Sequence, residues 1–303
     1  VDIGCGMSAA QLPLTSADLP DDLQRLHGMI ARDVPAGVGQ GHSAQHRADE
    51  PPALPATSGE AWWTAKLASK AHEQFGSLGS GNHFVEVCLD EADRVWIVLH
   101  SGSRGVGNQL ANFHIDGAKA LAAATSAGDL AELPDRDLAW LSEGSAEFDA
   151  YITDMLWAQD YAMGNRQRML GLVHAAVVRF LGRDLDEVPI LDEINCHHNF
   201  TAREAHVIDG VERDVWLTRK GAIRARVGDR GVIPGSMGTE SFVVSGLGST
   251  ESYQSCSHGA GRKMSRNAAR KRLDRDGLRE VMAGKAWNGN AKALIDEDPR
   301  AYK

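Results

Sequence analysis

The chain has 303 residues, a formal net charge of −9 and an ordinary share of hydrophobic side chains, enough for one large domain. The acidic balance argues against indiscriminate binding to polyanions but leaves room for a local basic groove. No apolar run approaches the ~18 residues of a membrane span, and four scattered cysteines (Cys5, Cys88, Cys196 and Cys256) form no CxxC pair, which points away from a disulfide framework and toward a reducing, cytoplasmic setting.

In chain order, residues 1–10 read as a tight glycine-bearing turn around "DIGCGM". The spacing of Leu23, Leu26, Ile30 and Val34 predicts a helix. Residues 35–59 are rich in Gly, Pro, Ser and His and read as a long loop, in which His42 and His46 fit either a metal site or plain surface. "EAWWTAKLASKAHEQF" is expected to be helical, and "NHFVEVCL" and "RVWIVLH" to be strands. "GNQLANFHIDGAKALAAA" and the long periodic stretch from Phe148 to Leu181 are expected to be helices. "HVIDG" and "RDVWLTRK" read as a hairpin turning at Asp209-Gly210, and "SFVVSGLG" as another strand. "SRNAARKRLDRDGLREVMAG" reads as one more helical stretch. Without a regular βαβ rhythm, the fold class is α+β: mixed sheets and helices around one central site, in a single domain over residues 1–303.

Several stretches carry chemistry. "DIGCGM" offers Asp2 and Cys5 across a flexible turn, a credible metal pair or a turn with a buried cysteine. If "NHFVEV" is extended, Asn82, Phe84 and Glu86 share one face, with His83 and Val85 on the other. His83 is then a ligand or a satisfied core histidine. "WIVLHSGSRGVGN" ends a strand on His100, where a rigid element can aim an imidazole; its glycines match neither GxxxxGK[ST] nor GxGxxG. In "NCHHNF" the adjacent His197 and His198 face opposite ways, so one of the two is the candidate ligand. "IPGSMGTESF" is an anion nest or a tight turn, and "HGAGRKMSR" places His258 beside glycines and basic residues. Two basic clusters, Arg219, Lys220, Arg224, Arg226 and Arg230, then Arg262, Lys263, Arg266, Arg270, Lys271, Arg272 and Arg275, fit a solvated face or a phosphate path. The set suggests a sulfur-bridged pair of divalent ions beside a phosphate site, and ligand softness by itself favours zinc.

The motifs "DIGCGM", "GSLGSGNHFVEV", "HSGSRGVGNQ", "CHHNF", "PGSMGT" and "SHGAGRKMSR" stand in an order that resembles the RtcB family of RNA ligases along the whole chain. The resemblance implies an enzyme that joins RNA 3′-phosphate or 2′,3′-cyclic phosphate ends to 5′-hydroxyl ends, in RNA repair or tRNA splicing, with GTP and two Mn2+ ions in place of zinc. His258 would be the guanylylated nucleophile. Asp2, Cys5, His83, His100 and His198 would be the metal ligands, with Cys5 bridging, Asp2 and His83 on one ion, and His100 and His198 on the other. GTP contacts would come from Asn82, His83, Phe84, Val85, Glu86, His198, Asn199, Pro234, Gly235, Ser236, Met237, Ser241, His258, Gly259, Ala260, Gly261 and Tyr302. A metal-activated water would open a cyclic phosphate, guanylate would pass from His258 to the 3′-phosphate, and the 5′-hydroxyl would displace GMP.

The chain opens on Val1 rather than methionine and stops at Lys303, short of a near-terminal lysine with which the family contacts guanine. Native residues are therefore expected beyond both ends. Two other functions compete: a dinuclear metallophosphoesterase acting on nucleic-acid ends, and an RNA-end-binding protein with an inactive site. Only the ligase predicts a stable GMP addition on incubation with GTP and manganese.

Overall fold

A computed structural model describes residues 2–44, 50–54, 63–124 and 135–303. The elements are β1 (Gly6–Thr15), α1 (Gln24–Asp33), α2 (Ala65–Gln74), β2 (Phe84–Leu89), β3 (Arg94–Ser101), α3 (Arg104–Ala124) and α4 (Ala146–Leu181), then β4 (Asp192–His197), β5 (Asn199–Ile208), β6 (Val211–Lys220), β7 (Ala222–Arg224), β8 (Arg230–Ile233), β9 (Phe242–Ser245) and β10 (Ser255–Ser257), and finally α5 (Arg266–Arg272), α6 (Arg275–Val281) and α7 (Ala291–Leu294). This is a mixed α+β fold, as the sequence pattern implies.

One four-stranded antiparallel sheet, in the order β2-β3-β1-β4, carries the frame. Its two faces are both covered. Ala10, Leu12, Leu14, Val95, Ile97 and Leu99 pack on Met169, Leu170, Val173 and Val177 of α4. Met7, Ala9, Trp96, Val98 and Ile194 pack on Val232 of β8. Fully burying one such Leu or Ile contributes on the order of 1.5–3 kcal/mol, so the two layers jointly hold the sheet in register. The helix α4 begins where Ser145 accepts a hydrogen bond from the Phe148 N–H at 3.2 Å and ends at Gly182 in the left-handed conformation. Among the described residues, no helix is long and apolar enough to cross a membrane.

Four expectations are corrected. Residues 1–10 are not merely a turn: the turn ends at Cys5 and β1 runs from Gly6. "SAAQLPL" hides this strand because both faces are buried through Ala10, so alternation begins only at Gln11, and Ala and Pro are weak strand formers. Pro13 is accommodated where the β1–β3 register shifts between Gln11 and Thr15. The stretch after Ser265 is two helices, because Asp274 accepts from the Gly277 N–H at 2.7 Å and starts α6 afresh. His42 is not loose surface: it is buried, and its Nε2 lies 3.0 Å from the Gly76 carbonyl. His46 lies outside the described residues, as do residues 60–62 at the head of the helix expected before Phe75. Last, four of the five residues of the first basic cluster pair with carboxylates rather than standing free, Arg219 in the interior and Arg226 on Glu204, Arg224 on Asp229 and Arg230 on Asp192.

Candidate active site

Strand polarity builds the site. Gly6 pairs with Ser101 on one side and with His197 on the other, and Phe84 pairs with His100. The starts of β1 and β2 and the ends of β3 and β4 therefore meet at one edge of the sheet. Cys5 precedes β1, His83 precedes β2, His100 is the penultimate residue of β3, and His198 follows β4. Residues spread over nearly two hundred positions converge because antiparallel pairing returns the chain to the same edge four times.

The distances are short. Cys5 Sγ lies 3.1 Å from His100 Nε2 and 3.4 Å from His83 Nε2. His100 Nε2 lies 3.3 Å from His198 Nε2, and His83 Nε2 lies 3.0 Å from an Asp2 carboxylate oxygen. Two groups, Asp2-Cys5-His83 and Cys5-His100-His198, each bring their ligand atoms within 4.8 Å of one another, and Cys5 belongs to both. His197 turns away, with Nδ1 2.9 Å from the Gly4 carbonyl.

Proton positions test whether these residues suit a cation. His100 Nδ1 donates to the Asn82 carbonyl at 2.9 Å, so Nε2 presents a lone pair toward Cys5 and His198. His83 Nδ1 lies 3.0 Å from the Leu78 carbonyl and 2.9 Å from Arg104 Nη2, and its Nε2 faces Asp2 and Cys5. His198 Nδ1 is buried with no partner. A sulfur, three imidazole nitrogens and a carboxylate oxygen thus converge, a donor set that fits one or two cations.

The electrostatics agree. Burial, reinforced by the neighbouring His83 and His258, pulls His100 down to about 3, and burial with His258 and His100 nearby places His198 well below the ordinary imidazole range. Both rings are neutral at pH 7, as ligands must be. Burial raises Asp2, but the hydrogen bond and charge of His83 outweigh it, and the carboxyl falls to about 2. Burial and the adjacent Asp2 push the Cys5 thiol well above its usual range, so only a nearby cation would make it a thiolate. His258 stacks on His198, with ring centroids 3.7 Å apart and planes 17° apart. Burial lowers it to about 4 against a backbone hydrogen bond at Val232, so it too is a neutral ring at pH 7.

The residues expected around a nucleotide are divided. Glu86 and Ser241 meet, the hydroxyl donating to the carboxylate at 3.3 Å, and burial raises Glu86 to about 7 against that bond. Phe84 rests edge-on to His100 while Val85 turns to the core, as strand alternation predicts. Asn82 has an exposed side chain, and its carbonyl serves His100. Asn199 is occupied structurally: its Oδ1 accepts from the Gly221 N–H at 2.8 Å and its carbonyl accepts from the Gly4 N–H. Pro234 to Met237 form a turn closed by Ser236 and Thr239, and Met237 packs near Leu278 and Met282. The stretch from His258 through Ala260 to Gly261 is held to the chain end, since the Lys303 N–H donates to the Gly261 carbonyl at 3.0 Å. Gly259 has open space where a side chain would project. The Tyr302 hydroxyl donates to Glu297 and accepts from Arg262 Nη1 at 2.9 Å.

Three side chains the sequence did not single out shape this edge. Arg104 at φ 57 puts Nη2 2.9 Å from His83 Nδ1 and donates through Nη1 to the Leu78 carbonyl. Asn165 and Arg166, both fully buried in the middle of α4, reach the segments beside the ligands. Their signal was a polar pair inside an otherwise apolar helical stretch, visible only once that face is known to be buried.

Fold and site together define a class: a mixed α+β fold with two groups of side chains that share Cys5 and could hold a metal, beside a neutral histidine. The chain matches the family described as "tRNA-splicing ligase RtcB" over residues 56–303. It is 42% identical to the RNA-splicing ligase RtcB of Escherichia coli K12, an alignment that covers 100% of this chain and 76% of that protein, and equally similar to the RNA-splicing ligase RtcB1 of a second Escherichia coli strain. The tRNA-splicing ligase RtcB of Nanoarchaeum equitans is 28% identical, over 100% of this chain and 74% of its own length. This chain belongs to the RtcB family.

Proposed function

We propose that the chain is an RNA ligase that joins 3′-phosphate or 2′,3′-cyclic phosphate ends to 5′-hydroxyl ends through a guanylylated His258, with GTP and two manganese ions. One observation carries this: a half-buried imidazole, neutral at pH 7, lies stacked against a donor set that two groups share through Cys5. Asp2 and His83 would hold one ion, His100 and His198 the other, and Cys5 both. When bound, two cations would neutralise much of the triphosphate charge.

The chain's own groups do the rest. The unprotonated nitrogen of His258 attacks the α-phosphorus of GTP; a P–N bond forms, the bond to the bridging oxygen breaks, and pyrophosphate leaves. An oxygen of the RNA 3′-phosphate then attacks the same phosphorus, the P–N bond breaks, and His258 returns to its starting form. The 5′-hydroxyl attacks the RNA phosphorus and loses its proton, and GMP departs in place of a poorer leaving group. Glu86, next to Ser241, is positioned as a guanine acceptor, and Tyr302 would lie near the base. The bacterial and archaeal relatives, an RNA-splicing and a tRNA-splicing ligase, support RNA as substrate and splicing as the use, with RNA repair the second use that the same end-joining would serve. Free thiols at Cys5, Cys88, Cys196 and Cys256 suit a reducing cytoplasm.

Incubation with α-labelled GTP and manganese tests it. The native chain is expected to gain one acid-labile GMP by intact mass, and His258→Ala is expected to gain none. An undiminished adduct in His258→Ala would remove His258 from the role.

A further inference from the structure

Among the described residues, Arg166 is the largest side chain that is wholly buried, and its hydrogen bonds reach carbonyls, an amide, a thioether and an imidazole rather than a carboxylate. Burial pulls its guanidinium down to about 10, which still leaves it a cation at neutral pH. An unpaired charge in the interior is expensive, and a hydrophobic residue of similar volume usually serves a core better. The hydrogen bonds show what this cation does instead. Nη1 donates to the Gly4 carbonyl at 2.7 Å and to the Ser101 carbonyl at 3.1 Å. Nε donates to Asn195 Oδ1 at 2.7 Å, and Nη2 reaches His197 Nδ1 at 3.2 Å. Gly4 immediately precedes Cys5, Ser101 immediately follows His100, and His197 immediately precedes His198. One planar fork therefore ties together the three segments that carry the Cys5-His100-His198 group.

The surroundings are shaped for it. A Cβ on Gly6 would lie 2.8 Å from Arg166 Cζ, so the first residue of β1 leaves space for the guanidinium. The adjacent Asn165 makes the matching set of bonds one layer over. Its Oδ1 accepts from the Gly76 N–H at 2.7 Å, and its Nδ2 donates to the Ser77 and Gly102 carbonyls, each at 3.3 Å. A Cβ on Gly102 would in turn lie 2.4 Å from an Asp2 carboxylate oxygen. These carbonyls sit at strand ends and turns, where the ladder offers no N–H.

We propose that Arg166 is a positioning residue: its fork sets the spacing of Cys5, His100 and His198 before any cation arrives, and its fixed charge offsets the anionic ligands. This rests on those residues being metal ligands, as proposed above. A lysine could restore the charge but not four bonds in one plane.

Cobalt uptake tests it. The metal-free full chain is titrated with Co2+, following the thiolate-to-cobalt charge-transfer absorption and the d–d bands, for native protein, Arg166→Met, Arg166→Lys and Asn195→Ala. Circular dichroism and a thermal melt establish the folded fraction of each. The expected result is a loss of cobalt affinity of about 10–100-fold in folded Arg166→Met, with a weakened charge-transfer band, the typical cost of losing a group that orients ligands. Arg166→Lys is expected to fall between the two, and Asn195→Ala to show a smaller loss in the same direction. If Arg166→Met does not fold, Asn195→Ala decides alone, because it loosens the fork without touching a ligand. A drop below about threefold in the folded variants, with the native absorption retained, overturns the proposal and leaves Arg166 a purely structural residue. Native protein that takes up no cobalt overturns the ligand assignment, and this proposal with it.

Discussion

Two buried polar clusters invite comparison. On the β5–β6 hairpin, Arg219 gives two bonds to Glu204, at 2.7 and 3.0 Å, and His206 Nε2 lies 3.1 Å from the same carboxylate. Arg219 Nε and Nη2 also reach Ser255 Oγ and the Tyr253 carbonyl. Every donor has an acceptor, and the cluster is closed. At the sheet edge the same residue types are arranged the other way. Three imidazole Nε2 atoms, a sulfur and a carboxylate point at one another, while the nearby arginines bind backbone carbonyls instead. A closed cluster is a structural joint; a convergence of sulfur, imidazole and carboxylate atoms within 4.8 Å of one another is a set that could hold a metal ion.

Three substitutions separate the clusters, in descending order of effect. Arg219→Ala removes the bidentate partner of the buried Glu204 and leaves it only His206 and the partly exposed Arg226; it should cost up to about 3–5 kcal/mol in urea unfolding while leaving cobalt affinity at the native value. Weaker metal binding in the folded variant would show that the hairpin supports the site. Cys5→Ala is expected to do the reverse. It removes the atom common to both groups, so metal content measured by elemental analysis should fall for both ions together, with affinity down by about 10–100-fold and the melt little changed. Retention of a full complement of metal would deny the sulfur its shared position.

The smallest effect is one of pH. Burial raises Glu204, but its bonds from Arg219 and then His206 outweigh it and hold the carboxyl at about 2, below its ordinary 4.5. A depressed carboxyl stabilises the fold above the ordinary value, and that contribution is lost as pH falls from about 4.5 toward 2. Glu204→Gln should therefore unfold more easily than native protein at pH 7, with the gap narrowing across this window. A gap of constant size down to pH 3 would show that the ion pair does not carry the acid sensitivity.

Much of the site was legible because its motifs are local. "DIGCGM" marks Asp2 and Cys5, and adjacent positions on an extended segment must diverge, which limits the group to one of His197 and His198; the structure brings in His198 and turns His197 to the Gly4 carbonyl. The hairpin turning at Asp209-Gly210 was equally readable, since β5 and β6 pair in unbroken register from Ile208 and Val211 back to Asn199 and Lys220. β1 was not, because burial on both faces through Ala10 erases the alternation that announces a strand. Nor was the fate of the basic residues: Arg219 and Arg230 fit a solvated face or a phosphate path in the sequence, yet Arg219 meets Glu204 across its own hairpin and Arg230 meets Asp192 of β4.

By itself the sequence determined which atoms were on offer: a thiol beside a carboxylate, histidines at strand boundaries, and one histidine before a glycine turn. Those are properties of residue type and short spacing. Only the tertiary structure decided that the atoms meet at one edge, that the thiol belongs to two groups, and that a buried arginine braces them. Antiparallel pairing and the docking of α4 set those distances, and both arise from contacts between residues far apart in the chain.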